Sequence, residues 1–126
     1  MAGYRILVVD DSELVHELAR LALGEQAGWE IRCTASGRDA VALAAANPPD
    51  AILLDVEMPA LNGPATLAAL REEPACATVP VLFLTAHDRP EELERLRALG
   101  AAGVLAKPFA LEALAGDVVA ALGWAP

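Results

Sequence analysis

Polar residues capable of chemistry stand directly after short apolar runs in this sequence. Asp10 and Asp11 follow Ile6-Leu7-Val8-Val9, Asp55 follows Ile52-Leu53-Leu54, Thr85 follows Val81-Leu82-Phe83-Leu84, and Lys107-Pro108 follows Gly103-Val104-Leu105-Ala106. If the runs are parallel strands of one sheet, three carboxylates, a hydroxyl and an ammonium share one crevice. Carboxylates so close repel, and without a partner at least one has its pKa raised above the reference of about 3.9. A hard divalent cation removes the conflict. Carboxylates, a backbone carbonyl and waters are the ligands of Mg²⁺, whereas zinc favours nitrogen and sulfur donors that this set lacks. A carboxylate beside such a cation, faced by a lysine and a hydroxyl, suits phosphoryl transfer: the equatorial oxygens need positive charge and donors while a nucleophile attacks in line. In that reading Asp55 is the nucleophile, Asp10 and Asp11 hold the metal, and Thr85 and Lys107 reach the phosphoryl oxygens.

The elements that must position these residues are legible in the hydrophobic pattern. Strand-length runs at 5–9, 30–34, 51–54, 79–84 and 103–106 alternate with helical patterns, which predicts a parallel sheet built from strand–helix units. The first, third and fourth runs are apolar throughout, as expected for central strands covered by helices on both faces. Ser12 caps a helix whose apolar residues Val15, Leu18, Ala19 and Ala22 recur until Gly24, and Ser36 caps a second through Ala46, ended by Asn47-Pro48-Pro49. A third helix runs from 63 to 71 with Pro64 in its first turn. Asp88 caps a fourth, with Pro90 in its first turn, Glu91 and Arg95 paired at i,i+4 on its outer face and Gly100 as its stop. A fifth spans 110 to 122. Right-handed crossovers then give an α/β fold, a flavodoxin-like doubly wound (βα)5 sandwich with five parallel strands in the order 2-1-3-4-5.

The length of 126 residues predicts one domain over 1–126, with residues 4–123 as the fold proper and 124–126 as a tail or a truncated linker. A composition 56% hydrophobic supports a packed core, though much of it is alanine. The net charge of -9 repels nucleic acid phosphates and anionic lipid, so neither direct nucleic acid binding nor membrane binding is expected. Cys33 and Cys76 show no metal-ligand spacing and read as free thiols. With no apolar stretch near the roughly 20 residues that span a bilayer and no signal peptide, the chain reads as cytoplasmic.

Val8-Val9-Asp10-Asp11-Ser12, Leu53-Leu54-Asp55-Val56-Glu57-Met58-Pro59 with Gly63 following, Leu84-Thr85-Ala86 and Lys107-Pro108-Phe109 together resemble the signature set of response-regulator receiver domains, in order and at the family's spacing. The resemblance implies that Asp55 is the phosphoacceptor and that Asp10, Asp11, Asp55 and the carbonyl of Val56 ligate Mg²⁺. It also implies that a sensor histidine kinase or histidine phosphotransfer protein donates the phosphoryl group, and that the Lys107–Pro108 peptide is cis, a form available mainly to X–Pro bonds. Such a domain catalyses only its own phosphorylation and dephosphorylation. Small Ala86 leaves room for the phosphoryl group. Three residues before the lysine, where receivers usually carry a Tyr or Phe that swings inward, this chain has Val104. Glu57 and His87 fill the two variable positions that tune phosphoryl lifetime in the family, so an altered lifetime is expected.

Other readings meet specific obstacles. A phosphohydrolase with its nucleophile at Asp10 needs a second acid two residues on, where Ser12 stands. A flavin-binding module of the same fold needs a phosphate-cradling loop after the first strand, where this chain has acids. A phosphate-independent receiver-like interaction module is the alternative that Val104 supports, although the acids and the lysine are all present. His16 reads as a surface residue near a partner-docking face, Trp29 and Trp124 as edge or end contacts, and the charged stretch 91–97 as a solvated helix face.

Overall fold

The computed structural model describes residues 3–124. Strands β1 (Arg5–Val9), β2 (Glu30–Thr34), β3 (Ala51–Asp55), β4 (Val81–Thr85) and β5 (Gly103–Ala106) form one parallel sheet. Their order is β2-β1-β3-β4-β5, as the alternating pattern predicts. Between and after them run α1 (Glu13–Ala19), α2 (Gly37–Ala46), α3 (Gly63–Glu72), α4 (Pro90–Ala98) and α5 (Leu111–Leu122). Among the described residues no helix is long and apolar enough to cross a membrane. Of the tail expected at 124–126, residues 125–126 lie outside the described residues.

Strand side chains alternate between two cores. Leu7, Val9, Ile52, Leu54, Val81 and Phe83 face Ala40, Ala44, Leu67, Leu70 and Leu96 from α2, α3 and α4. Ile6, Val8, Leu53, Leu82 and Leu84 face Ala19, Leu23, Leu114 and Val118 on the side of α1 and α5. Every residue of β3 and β4 is buried, which is why their sequences are apolar without alternation. At one end of the sandwich, Tyr4 stacks on Trp124 with ring centroids 3.7 Å apart, and Trp29 meets both rings edge-on.

The local departures from expectation have local causes. The first helix changes pitch at Arg20 and continues as a π-helical segment, Arg20–Glu25, with the Gln26 N–H donating to the Leu21 carbonyl at 3.0 Å. Asp88 does not cap α4. The helix begins at Pro90 with Arg89 at the cap position and no side-chain cap; a proline at the first helical position leaves one donor fewer to satisfy. On α4, Arg95 pairs with Glu92 at i,i+3, at 2.9 Å, and not with Glu91. Strand β4 starts at Val81 and not at Val79, because Pro80 has no N–H and the Val79 backbone is engaged elsewhere. Its N–H donates to the Cys76 carbonyl at 3.2 Å, and its carbonyl accepts from Arg71 Nη1 at 2.7 Å. The expected caps at Ser12 and Ser36 are present, accepting the N–H groups of Val15 and Asp39, and Asn62 caps α3 through the Ala65 N–H.

Candidate functional site

The strand register aligns the polar residues at one edge. Val9 pairs with Leu54, Asp55 with Leu84 and Thr85 with Ala106, so residues 10, 55, 85 and 107 emerge side by side at the carboxyl end of the sheet. Asp10, Asp11 and Asp55 each present a carboxylate oxygen within 4.8 Å of the others; Asp10 and Asp55 are buried and Asp11 is exposed. Lys107 reaches across from the loop after β5, where the Lys107–Pro108 peptide is cis as expected. Its ammonium donates to Asp55 Oδ1 at 3.1 Å and lies 2.6 Å from Asp10 Oδ2. The latter is the shorter of the two ion pairs, and beyond it Asp10 Oδ2 meets no donor among the described residues.

Burial, then the Asp10 charge, push the Asp55 carboxyl above its ordinary range, against the pull of Lys107 and the Glu57 N–H. Burial by itself would lower the Lys107 ammonium, but the close contacts and charges of Asp10 and Asp55 outweigh it and hold the group above its ordinary value. The cluster is thus an acidic site with too little positive charge of its own. Three carboxylates that share one ammonium, in a purely oxygen donor set, fit a hard divalent cation such as Mg²⁺.

Thr85 is buried at the end of β4, its hydroxyl accepting the His87 N–H at 3.0 Å, and its carbonyl accepts the Lys107 N–H at 2.8 Å. The Val56 carbonyl, expected as a metal ligand, accepts the Gly63 N–H at 2.9 Å, which engages one lone pair in the entry to α3. The next carbonyl, that of Glu57, takes no hydrogen bond from the described residues. Gly63 is required here: a Cβ at that position would overlap the Asp55 carbonyl and the Val56 backbone. In the same loop Ala60 adopts φ 66°, a left-handed conformation uncommon for a residue with a side chain. Glu57 and His87, in the loops after β3 and β4, meet Oε2 to Nε2 at 3.0 Å, with both side chains exposed. Val104 lies half-buried on β5 against the core beneath α4.

Two features were not expected. His16 is not a surface residue: it is buried, with Nε2 2.6 Å from the Asp10 carbonyl oxygen. Asp10 Oδ1 accepts the Ser12 N–H at 2.9 Å. The spacing Asp10-x-Ser12 is an Asx-turn signal that reveals the second contact, but nothing local in the sequence distinguishes His16 from an exposed helical histidine.

Comparison with known proteins gives this arrangement a family. Residues 6–118 match the response regulator receiver domain. The chain belongs to that family. The receiver domain is similar to the response regulator MprA of Mycolicibacterium vanbaalenii, 42% identical over 110 residues, which are 87% of this chain and 46% of MprA. It is also similar to protein PilG of Pseudomonas aeruginosa, 31% identical over 94% of this chain and 87% of PilG. The receiver domain spans about half the length of most of the curated relatives it matches. Among solved structures, the chemotaxis response regulator CheY4 of Vibrio cholerae superposes with a TM-score of 0.89 at 34% identity, over 96% of this chain and all of CheY4. The chain is therefore a phosphoacceptor module of two-component signalling, a class that interacts with histidine kinases or phosphotransfer proteins and generally has no enzymatic activity on other substrates.

Proposed function

We propose that Asp55 is the residue phosphorylated in this receiver domain, in the cytoplasm, by a sensor histidine kinase or a histidine phosphotransfer protein. One observation carries the assignment: Asp55 lies at the centre of the site, ending the middle strand, grouped with Asp10 and Asp11 and hydrogen-bonded to Lys107. A carboxylate oxygen of Asp55 attacks phosphorus in line; the phosphorus–oxygen bond forms as the bond from phosphorus to the donor imidazole breaks, and the imidazole takes up a proton. Lys107 is within reach of the oxygens that gain charge, and the Thr85 hydroxyl, which only accepts from the His87 N–H, keeps its hydrogen to donate to them. Asp10, Asp11, Asp55 and a backbone carbonyl of the loop after β3 would hold Mg²⁺. That carbonyl is Val56 through its second lone pair, or Glu57, whose carbonyl takes no hydrogen bond from the described residues. When bound, Mg²⁺ supplies charge neutralisation for the carboxylates and the incoming phosphoryl group.

Glu57, two residues after Asp55, and His87, two after Thr85, pair with each other and set how readily water reaches the acyl phosphate. The phosphoryl group adds about two negative charges and draws Thr85 and Lys107 inward, which biases α4 and β5 towards a second arrangement. Helix α4 suits that role, because Leu96 is its one buried side chain. Val104 makes the shift without an aromatic rotamer change. The output partner is recognised through this surface and not through nucleic acid, in keeping with the net charge of -9.

The test is intact-mass measurement after incubation with a small-molecule phosphodonor, with and without Mg²⁺, beside Asp55→Asn. A single phosphoryl adduct requiring both Mg²⁺ and Asp55 is the expected result. An adduct that persists in Asp55→Asn, or none in a folded Mg²⁺-loaded sample, refutes the assignment.

A further inference from the structure

We infer that His16 is a positioning residue for the metal-binding aspartate Asp10, acting through the Asp10 backbone and never touching the phosphoryl group; the inference rests on the metal reading proposed above. Asp10 is fully buried and presents one of the three grouped carboxylate oxygens, so its direction decides whether the site is formed. Besides the Lys107 ion pair, three contacts fix that direction. The Asp10 N–H donates to the Thr34 carbonyl of β2 at 3.1 Å, and Oδ1 accepts the Ser12 N–H at 2.9 Å. The Asp10 carbonyl, just past the end of β1, accepts from His16 Nε2 at 2.6 Å. A carbonyl only accepts, so Nε2 carries the hydrogen.

The helix start makes this contact specific. Ser12 caps α1, its carbonyl accepting the His16 N–H at 3.2 Å and its hydroxyl the Val15 N–H at 3.3 Å. With that first turn formed, the His16 side chain reaches back to the strand end. The imidazole closes a ring of contacts: Asp10 carboxylate to Ser12 N–H, Ser12 carbonyl to His16 N–H, and His16 side chain to Asp10 carbonyl. Opening it leaves a buried carbonyl without a donor and lets the peptide after Asp10 rotate, which turns the carboxylate away from Asp55 and Lys107. Partners of this kind, one bond removed from a metal ligand, typically carry about 10- to 100-fold in metal affinity.

The experiment compares His16→Asn with His16→Gln. Both are polar and uncharged, but a glutamine amide nitrogen falls where Nε2 lies, whereas an asparagine amide reaches only the Nδ1 position. Mg²⁺ affinity is measured by calorimetry, Ser12 amide exchange by NMR in EDTA, and stability by urea unfolding in EDTA as a control. His16→Asn is expected to bind Mg²⁺ about 10- to 100-fold more weakly and to exchange its Ser12 amide faster, with His16→Gln restoring most of both. Equal affinity in all three proteins overturns the inference, as does equal loss in the two variants, which marks His16 as a packing residue. If the wild type takes up no Mg²⁺, the metal reading falls, and the Ser12 exchange rates decide on His16 alone.

Discussion

Replacing Asp55 with asparagine is expected to stabilise the metal-free protein while abolishing phosphorylation. At an effective dielectric of about 20, the attraction between Asp55 and Lys107 at 3.1 Å is worth about 5 kcal/mol. The repulsion from Asp10, at no more than 4.8 Å, is about 3 kcal/mol or more at the same dielectric. Exposed Asp11 adds a solvent-screened share. The attraction exceeds the repulsion by about 2 kcal/mol or less, and burial of the carboxylate outweighs that remainder, which agrees with the upward direction of the Asp55 pKa. The asparagine keeps the shape and the acceptor for Lys107 and Glu57, so a net gain on the order of 1 kcal/mol is expected in EDTA at pH 7. The sign follows from linkage: a carboxyl whose folded pKa lies above its unfolded value destabilises the fold above the folded pKa, and this penalty vanishes as pH falls below the unfolded one. The advantage of Asp55→Asn therefore shrinks towards pH 4. Saturating Mg²⁺ is expected to reverse the order, because at a hundred times its dissociation constant a ligand stabilises the wild type by about 2.7 kcal/mol, and the variant lacks one of the proposed ligands. Urea unfolding followed by far-UV circular dichroism, in EDTA and in Mg²⁺, gives all these values. A variant less stable than the wild type in EDTA at pH 7 would refute the reasoning that the site lacks a cation.

Lys107→Met removes the ammonium that competes for Asp10 and Asp55, so Mg²⁺ binds more tightly by calorimetry while phosphorylation from a small-molecule donor slows by about 100-fold or more. Gly63→Ala drives a Cβ into the Asp55 carbonyl; a loss of about 1–3 kcal/mol in thermal unfolding and weaker Mg²⁺ binding are expected together. Trp124→Ala removes the stack on Tyr4 and the edge contact with Trp29 and lowers stability by about 2 kcal/mol, with Mg²⁺ affinity unchanged because the cluster lies away from the carboxylates.

The strands, their order and the convergence of Asp10, Asp11, Asp55, Thr85 and Lys107 were legible in the sequence by itself, for one reason: in a parallel α/β sheet the residue after each buried strand emerges at the same edge. Continuous apolar runs mark the buried strands, and a helix cap such as Ser12 or Ser36 is a contact between residues three apart. Tertiary structure alone decided what depends on the rotation and close approach of whole elements. The pitch change at Arg20, the start of β4 beyond Pro80 and the cap of α4 at Arg89 follow from how each segment meets its neighbours. The pairing of Glu57 with His87 crosses 30 positions in sequence. Engagement of the Val56 carbonyl by Gly63 depends on the path of a loop. His16 shows the difference most plainly: its helical position suits solvent or core equally, and only the angle at which α1 leaves β1 turns the ring inward onto the Asp10 carbonyl. Periodicity specifies which face of an element is apolar, whereas the direction of one polar atom is set by packing among residues far apart in the chain.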